Sequence, residues 1–173
     1  MSRPDRDTRI DTIDRTLPLV PQGVVGIRTY HDTYINAQMD QGARANETHL
    51  HRWEKWDKFV QFQTGLVVFM SWQGSEYSCL RATSDGNCHA DGNIHLHGGC
   101  YWTQINNPDG TVSFRSTFGN YLTAEPPNHS GPRQVLADRD HIDIWQKFLI
   151  ELTEPPIRTN HDCYYPTPTP ISI

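Results

Sequence analysis

Three stretches of the sequence repeat one another. Val25-Gly26-Ile27-Arg28-Thr29 is followed, after four residues, by Tyr34-Ile35-Asn36-Ala37. An offset of 43 residues reaches Val68-Phe69-Met70-Ser71-Trp72 and then Tyr77-Ser78-Cys79-Leu80. An offset of 87 reaches Val112-Ser113-Phe114-Arg115-Ser116 and then Tyr121-Leu122-Thr123-Ala124. Later in each copy stands a Trp-x-x-apolar element: Trp56 to Phe59, Trp102 to Ile105 and Trp145 to Phe148. The Tyr-to-Trp separations are 22, 25 and 24 residues, which is too regular for coincidence. Between these elements lie turn-forming pairs, Asp85-Gly86, Asp91-Gly92, Asp109-Gly110 and Gly119-Asn120, and almost no helical periodicity. The chain is therefore expected to be all-β, with three copies of four short strands.

A period near 43 residues also suits a propeller blade, but propellers close with about four to eight blades and only three copies fit here. Three four-stranded units point to a closed barrel with a capping layer. The pattern resembles a β-trefoil. Within that class, Phe114-Arg115-Ser116, Tyr121-Leu122-Thr123-Ala124-Glu125, Ala137-Asp138-Arg139 and Trp145-Gln146-Lys147-Phe148 resemble a fascin-like repeat. Copy one follows it through Ile27-Arg28-Thr29, Tyr34 to Ala37, Ala45-Asn46 and Trp53-Glu54-Lys55-Trp56. Copy one offers both Trp53 and Trp56 as the repeat's tryptophan, and copy two departs by having Ser71 and Leu80 at the Arg and Ala positions. Alternation along a strand puts Val25, Ile27, Val68, Met70, Val112 and Phe114 inside. Tyr34, Tyr77, Tyr121 and the tryptophans supply bulk to the same core. The fascin-like resemblance also implies actin or other cytoskeletal binding.

Prolines divide the 173 residues. Residues 1–22 and 153–173 hold eight of the 12 prolines, so both ends are expected to be extended Pro-rich arms. The β-trefoil would span 23–152, in repeats of about 23–64, 65–109 and 110–152. A net charge of −5 argues against a nucleic-acid partner, whose phosphates call for a basic stripe. No apolar run approaches the roughly 20 residues of a membrane span. Met1 to Val20 mixes Asp with Arg, so no secretory signal is expected.

The densest group of metal-binding side chains is Cys88, His89, His95, His97 and Cys100. His95 and His97, two apart on an expected strand, face one way and make a candidate metal pair, although the spacing matches no zinc-finger pattern. His49-Leu50-His51 repeats His95-Leu96-His97, which favours exposed histidines with Leu50 and Leu96 turned inward. Their protonation near pH 6.5 would offer a pH response. Cys79, Cys88, Cys100 and Cys163 permit two disulfides, with free thiols the preferred reading. The acidic stretch of Asp138, Asp140 and Asp143 with His141 has no partner nucleophile, and no phosphate loop or nucleophile elbow occurs. A non-enzymatic binding module without a cofactor is expected.

The ricin-type Gln-x-Trp signature does not occur. A sugar still needs one aromatic face with carboxylate and amide hydrogen bonds. Trp72 with Gln73 and Glu76 supplies these at the first turn of copy two, with Asn120 and Asp143 as further candidates in copy three. Glycan recognition leads. The alternatives are a structural subunit of a larger assembly that uses its arms on a protein partner, and cytoskeletal binding.

Overall fold

The computed structural model describes residues 13–38, 42–72, 77–126 and 134–156. Gln73, Glu76, Cys163 and most of both expected arms lie outside the described residues. The described residues contain twelve strands and no α-helix. The strands are β1 (Leu19–Arg28), β2 (Tyr34–Ala37), β3 (Ala43–Glu47), β4 (Trp56–Gln61), β5 (Val67–Trp72) and β6 (Tyr77–Ala82). They continue with β7 (Cys88–Gly92), β8 (Trp102–Asn106), β9 (Val112–Ser116), β10 (Tyr121–Ala124), β11 (Val135–Arg139) and β12 (Leu149–Glu154). One 3₁₀ turn precedes the last strand of each copy: Arg52–Glu54, Gly98–Cys100 and Ile144–Gln146.

Six strands close a barrel. β1 pairs with β4, β4 with β5, β5 with β8 and β8 with β9, all antiparallel. β12 returns to β1, and paired hydrogen bonds of 2.8 Å between Val112 and Phe148 join β9 to the start of β12. The hairpins β2–β3, β6–β7 and β10–β11 cap one end. Bridges from Gly42 to His89 and from Asn87 to Leu136 link neighbouring hairpins. The buried Gln134 amide completes the triangle by bonding both the N–H and the carbonyl of Ala45 at 2.8 Å. A cap closed in this way leaves few exposed strand edges.

The central core shows the true internal alignment. It consists of seven positions that recur once per copy: Val25/Val67/Val112, Ile27/Phe69/Phe114, Ile35/Leu80/Leu122, Ala37/Ala82/Ala124, Ala43/Cys88/Val135, Ala45/Ala90/Ala137 and Trp56/Trp102/Phe148. All are buried except Val112, which is partly so. Each large apolar side chain in this set stabilises the fold by about 1.5–3 kcal/mol. The Trp56 and Trp102 indoles donate to the carbonyls of Ile35 and Leu80 at 2.9 and 3.0 Å. Phe148 fills the same place without a donor.

This alignment corrects three readings in copy two and one in copy three. The offset to copy two is 42 residues at Val67 and 45 at Leu80, because the stretch from Phe69 to Leu80 is three residues longer than its counterparts from Ile27 to Ile35 and from Phe114 to Leu122. Val67 and Phe69, not Val68 and Met70, therefore face the barrel interior; a one-residue slip exchanges the two faces of a strand. Cys79 takes the place of Tyr34 and Tyr121, and Tyr77 is 41% exposed. The alanine that seemed absent from copy two is Ala82. In copy three the core aromatic is Phe148, and Trp145 is only half-buried.

Val68 and Met70 are nevertheless buried, under a second cluster on the outside of β5. It contains Leu19, Phe59, Cys79, Ile94, Cys100 and Tyr101, with Ile13 and Leu66 packed against it. Ile13 to Pro18 thus lie on their own barrel. The Gln61 amide donates to the Asp14 carbonyl at 2.8 Å, and the Phe62 N–H to the Pro18 carbonyl at 2.8 Å. Strand pairing starts before residue 23: Leu19, Val20 and Pro21 oppose Gln61, Val60 and Phe59. Pro21 fits there because the register shifts between it and Gly23, and a bulge can accommodate a missing N–H.

Candidate functional site

The chain leaves the third strand of each copy, turns through the 3₁₀ segment and enters the last barrel strand. The core aromatic at the start of that strand anchors the turn, so the residue three places before it always has the same location. That residue is Trp53 in copy one, Gly99 in copy two and Trp145 in copy three. The ambiguity between Trp53 and Trp56 is thereby resolved: Trp56 is core, and Trp53 corresponds to Trp145.

In copies one and three this residue lines a cavity against the capping hairpin. The copy-one cavity, about 400 Å³, is lined by Ala37, Gln38, Glu47, His51, Trp53 and Glu54. The copy-three cavity, about 280 Å³, is lined by Arg139, Asp143, Ile144, Trp145 and Gln146. Their residues correspond pairwise: Glu47 with Arg139, His51 with Asp143, Trp53 with Trp145 and Glu54 with Gln146. Copy two has the same backbone path but a different filling. A Cβ on Gly99 would lie 2.0 Å from the Ala82 carbonyl oxygen, and one on Gly92 would lie 2.5 Å from the Cys100 sulfur. There the turn sits directly on its hairpin, in the space an indole side chain would need.

Both cavities have a floor fixed by one hydrogen bond. The His51 N–H donates to the Glu54 carboxylate at 2.9 Å, and the Asp143 N–H donates to the Gln146 side-chain oxygen at 2.8 Å. The Gln146 amide also donates to the Thr123 hydroxyl at 3.0 Å, while the Asp143 carboxylate accepts from the Ile144 N–H at 2.8 Å. Glu54 is 4% exposed, and burial followed by the Glu47 charge raises its carboxyl above the ordinary range, against the lowering effect of the His51 bond. The Arg52 guanidinium, which does not line the cavity, rests 5.6 Å from the Trp53 ring centroid. In copy three, Arg139 lies 5.9 Å from the Trp145 centroid and pairs with Glu125 at 3.4 Å and Asp138 at 3.6 Å. The edge of His31 meets Trp145 at 5.7 Å.

Of the sugar candidates among the described residues, Asp143 alone lines either of these two cavities. Trp72 ends β5, 45% exposed, with its ring 5.1 Å from that of Tyr77. The Asn120 carbonyl accepts from the Ser116 N–H at 2.8 Å in the β9–β10 turn. These two turns belong to different copies, and neither residue lines either cavity. His95 and His97 lie on a turn, not on a strand, and Leu96 between them is 69% exposed rather than inward. Leu50 is half-buried against Gly26. The His97 Nδ1 accepts from the Asn93 N–H at 3.0 Å. Burial and Arg15 lower the His95 pKa, and burial and Arg81 lower that of His97. Cys88 belongs to the barrel core and Cys100 to the second cluster, so no three metal-binding side chains meet among the described residues. Cys79, Cys88 and Cys100 are free thiols, all buried.

Sequence reasoning missed Trp53, Glu47, Glu54, His51, Arg139 and Gln146. A signal for four of the cavity residues was present in Trp53-Glu54-Lys55-Trp56 and Trp145-Gln146-Lys147-Phe148, two copies of aromatic-polar-Lys-aromatic that copy two replaces with Gly99-Cys100-Tyr101-Trp102.

No protein-family model matches the chain, and no curated protein sequence matches it significantly. Solved structures do. SeviL bound to asialo-GM1 saccharide superposes with a TM-score of 0.59 at 10% identity, over 76% of this chain and 98% of that one. ThreeFoil, a designed 3-fold symmetric protein, gives 0.61 at 9% identity, over 75% and 98%. The fold is a β-trefoil. A mosquitocidal holotoxin gives 0.65 at 14% identity over 76% of this chain, which spans only 17% of the toxin chain. At these identities the likeness establishes the fold alone, and the copy-by-copy geometry carries the argument for function.

Proposed function

We propose that this β-trefoil is a glycan-binding module that takes a sugar residue in each of two cavities, at Trp53 and at Trp145. The observation that carries the reading is the recurrence of one arrangement at equivalent places in copies one and three. An indole from the equivalent position lines each cavity of sugar-accommodating size, with the polar groups supplied from different positions: the Glu47 and Glu54 carboxylates in copy one, the Asp143 carboxylate and the Gln146 amide in copy three. Sugar rings present an apolar C–H face for an aromatic ring and hydroxyls for acceptors, which is this combination. The superposition with a saccharide-bound protein supports the reading. The packing of Ile13 to Pro18 on their own barrel favours it over assembly through the first arm. The fascin-like resemblance rests on the repeat residues alone and adds no site.

The test is a glycan array on the full chain, followed by calorimetric titration of any sugar it detects. Trp53→Ala and Trp145→Ala should each remove one of two binding sites, and the double variant both. Binding that survives the double variant but disappears in Trp72→Ala would overturn the assignment and move the site to the first turn of copy two.

A further inference from the structure

The two cavities share a plan but not a charge. In copy one, Glu47 and the buried Glu54 place two carboxylates around Trp53, and no Lys or Arg lines the cavity among the described residues. In copy three the position of Glu47 is held by Arg139 and that of Glu54 by the neutral Gln146. We infer that the copy-one cavity selects a ligand carrying a protonated amine, such as an unacetylated 2-amino sugar unit, whereas the copy-three cavity excludes one.

The geometry gives the reason for each half. A protonated amine is stabilised over an indole face and by charge-assisted hydrogen bonds to carboxylates. Copy one presents both, with Trp53 as the face and Glu47 and Glu54 as acceptors. Glu54 accepts a bond from the His51 N–H and is otherwise enclosed, so a cation in the cavity supplies the counter-charge that burial withholds from it. Arg52 bears on the same indole from outside the lining, and His51 faces the cavity; both oppose a cation when charged, against two carboxylates. In copy three the protein provides its own cation. Arg139 is itself part of the cavity lining, tied to Glu125 and Asp138, so a second positive charge meets repulsion from within the cavity, with the Asp143 carboxylate alone among the lining residues to offset it. The Asp143 carboxylate remains available there to a neutral sugar's hydroxyls.

The selectivity rests on the glycan reading, but its test separates the two. Calorimetric titrations of the full chain at pH 6 would compare glucosamine, N-acetylglucosamine, glucose and, as an amine without a sugar, lysine methyl ester. Wild type should bind glucosamine at the Trp53 site at least tenfold more tightly than N-acetylglucosamine, and added salt should narrow the gap. Glu47→Gln should weaken glucosamine by about tenfold or more, the worth of one charge-assisted hydrogen bond. Glu47→Arg should abolish the preference, and Trp145→Ala should leave it intact. Glu47 is exposed, so both of its variants should keep the wild-type melting temperature. Equal affinity for the amino and acetylated sugars, or indifference to Glu47→Arg, would overturn the selectivity and leave the glycan reading standing. Trp53-dependent binding of the lysine ester with no sugar bound at either site would uphold the cation preference and overturn the glycan reading.

Discussion

Trp145 and Phe148 exchange the roles that their residue types suggest, and replacing each by alanine measures the exchange. Phe148 is 1% exposed, packs in the barrel with its ring 6.3 Å from that of Phe114, and occupies the place held by Trp56 and Trp102. Its removal empties a site that the closed barrel is poorly able to collapse, because the other strands of the ring hold the walls apart. Large-to-small changes of this kind cost about 3–5 kcal/mol. Trp145 is half-buried at a cavity rim, and its ring partners are His31 and Arg139. Truncating it removes a cation–π contact and one wall, roughly 1 kcal/mol. Urea unfolding followed by circular dichroism reads both numbers, with an unchanged slope serving as the check on two-state behaviour. At about 2–4 °C per kcal/mol for a chain of this size, Phe148→Ala should lower the melting temperature by roughly 6–20 °C and Trp145→Ala by a few degrees. In binding the order inverts, since only Trp145→Ala removes a cavity wall. Equal stability losses, or a larger one for Trp145→Ala, would refute the alignment that makes Phe148 the core residue.

Two further outcomes follow from the same alignment. Glu54→Gln copies the residue that copy three carries at Gln146 and keeps an acceptor for the His51 N–H. Because the folded pKa of Glu54 lies above its ordinary 4.5, the ionised carboxylate destabilises the fold at pH above the folded value, and the cost disappears as pH falls to 4.5. The variant should therefore be more stable than wild type in urea at pH 7 and no more stable at pH 3.5; a less stable variant at pH 7 would contradict this account. Gly99→Ala forces a methyl to within 2.0 Å of the Ala82 carbonyl oxygen, so backbone has to move, at about 3 kcal/mol. Gly65→Ala, with nothing within 4 Å, should cost only the left-handed strain of about 1–2 kcal/mol, and equal losses in the two variants would show that the copy-two turn is not seated on its hairpin.

Residue spacing alone was enough for the threefold plan, the all-β class and the interior side of β1 and β9. Those follow from local rules: strands alternate, Gly and Asp punctuate turns, and a unit that cannot bury its face alone recurs until it can. Alignment within copy two was beyond it. Val67, Val68, Phe69 and Met70 are all apolar and all buried, because Leu19, Ile94 and Tyr101 cover the outer face as the barrel covers the inner one. With both faces dry, alternation vanishes from the sequence, and the three extra residues between Phe69 and Leu80 pass unnoticed. The cavities were hidden for a related reason. Glu47, His51 and Trp53 reach the same space from a strand end, the N-cap of a turn and the turn itself, and only closure of the hairpin onto the barrel brings them together. Whether a copy opens a cavity or shuts it depends on one position, tryptophan or glycine, and its meaning depends on the Ala82 carbonyl, 17 residues away in the chain. The sequence determined that there would be three copies; contact between distant segments decided that two of them are open.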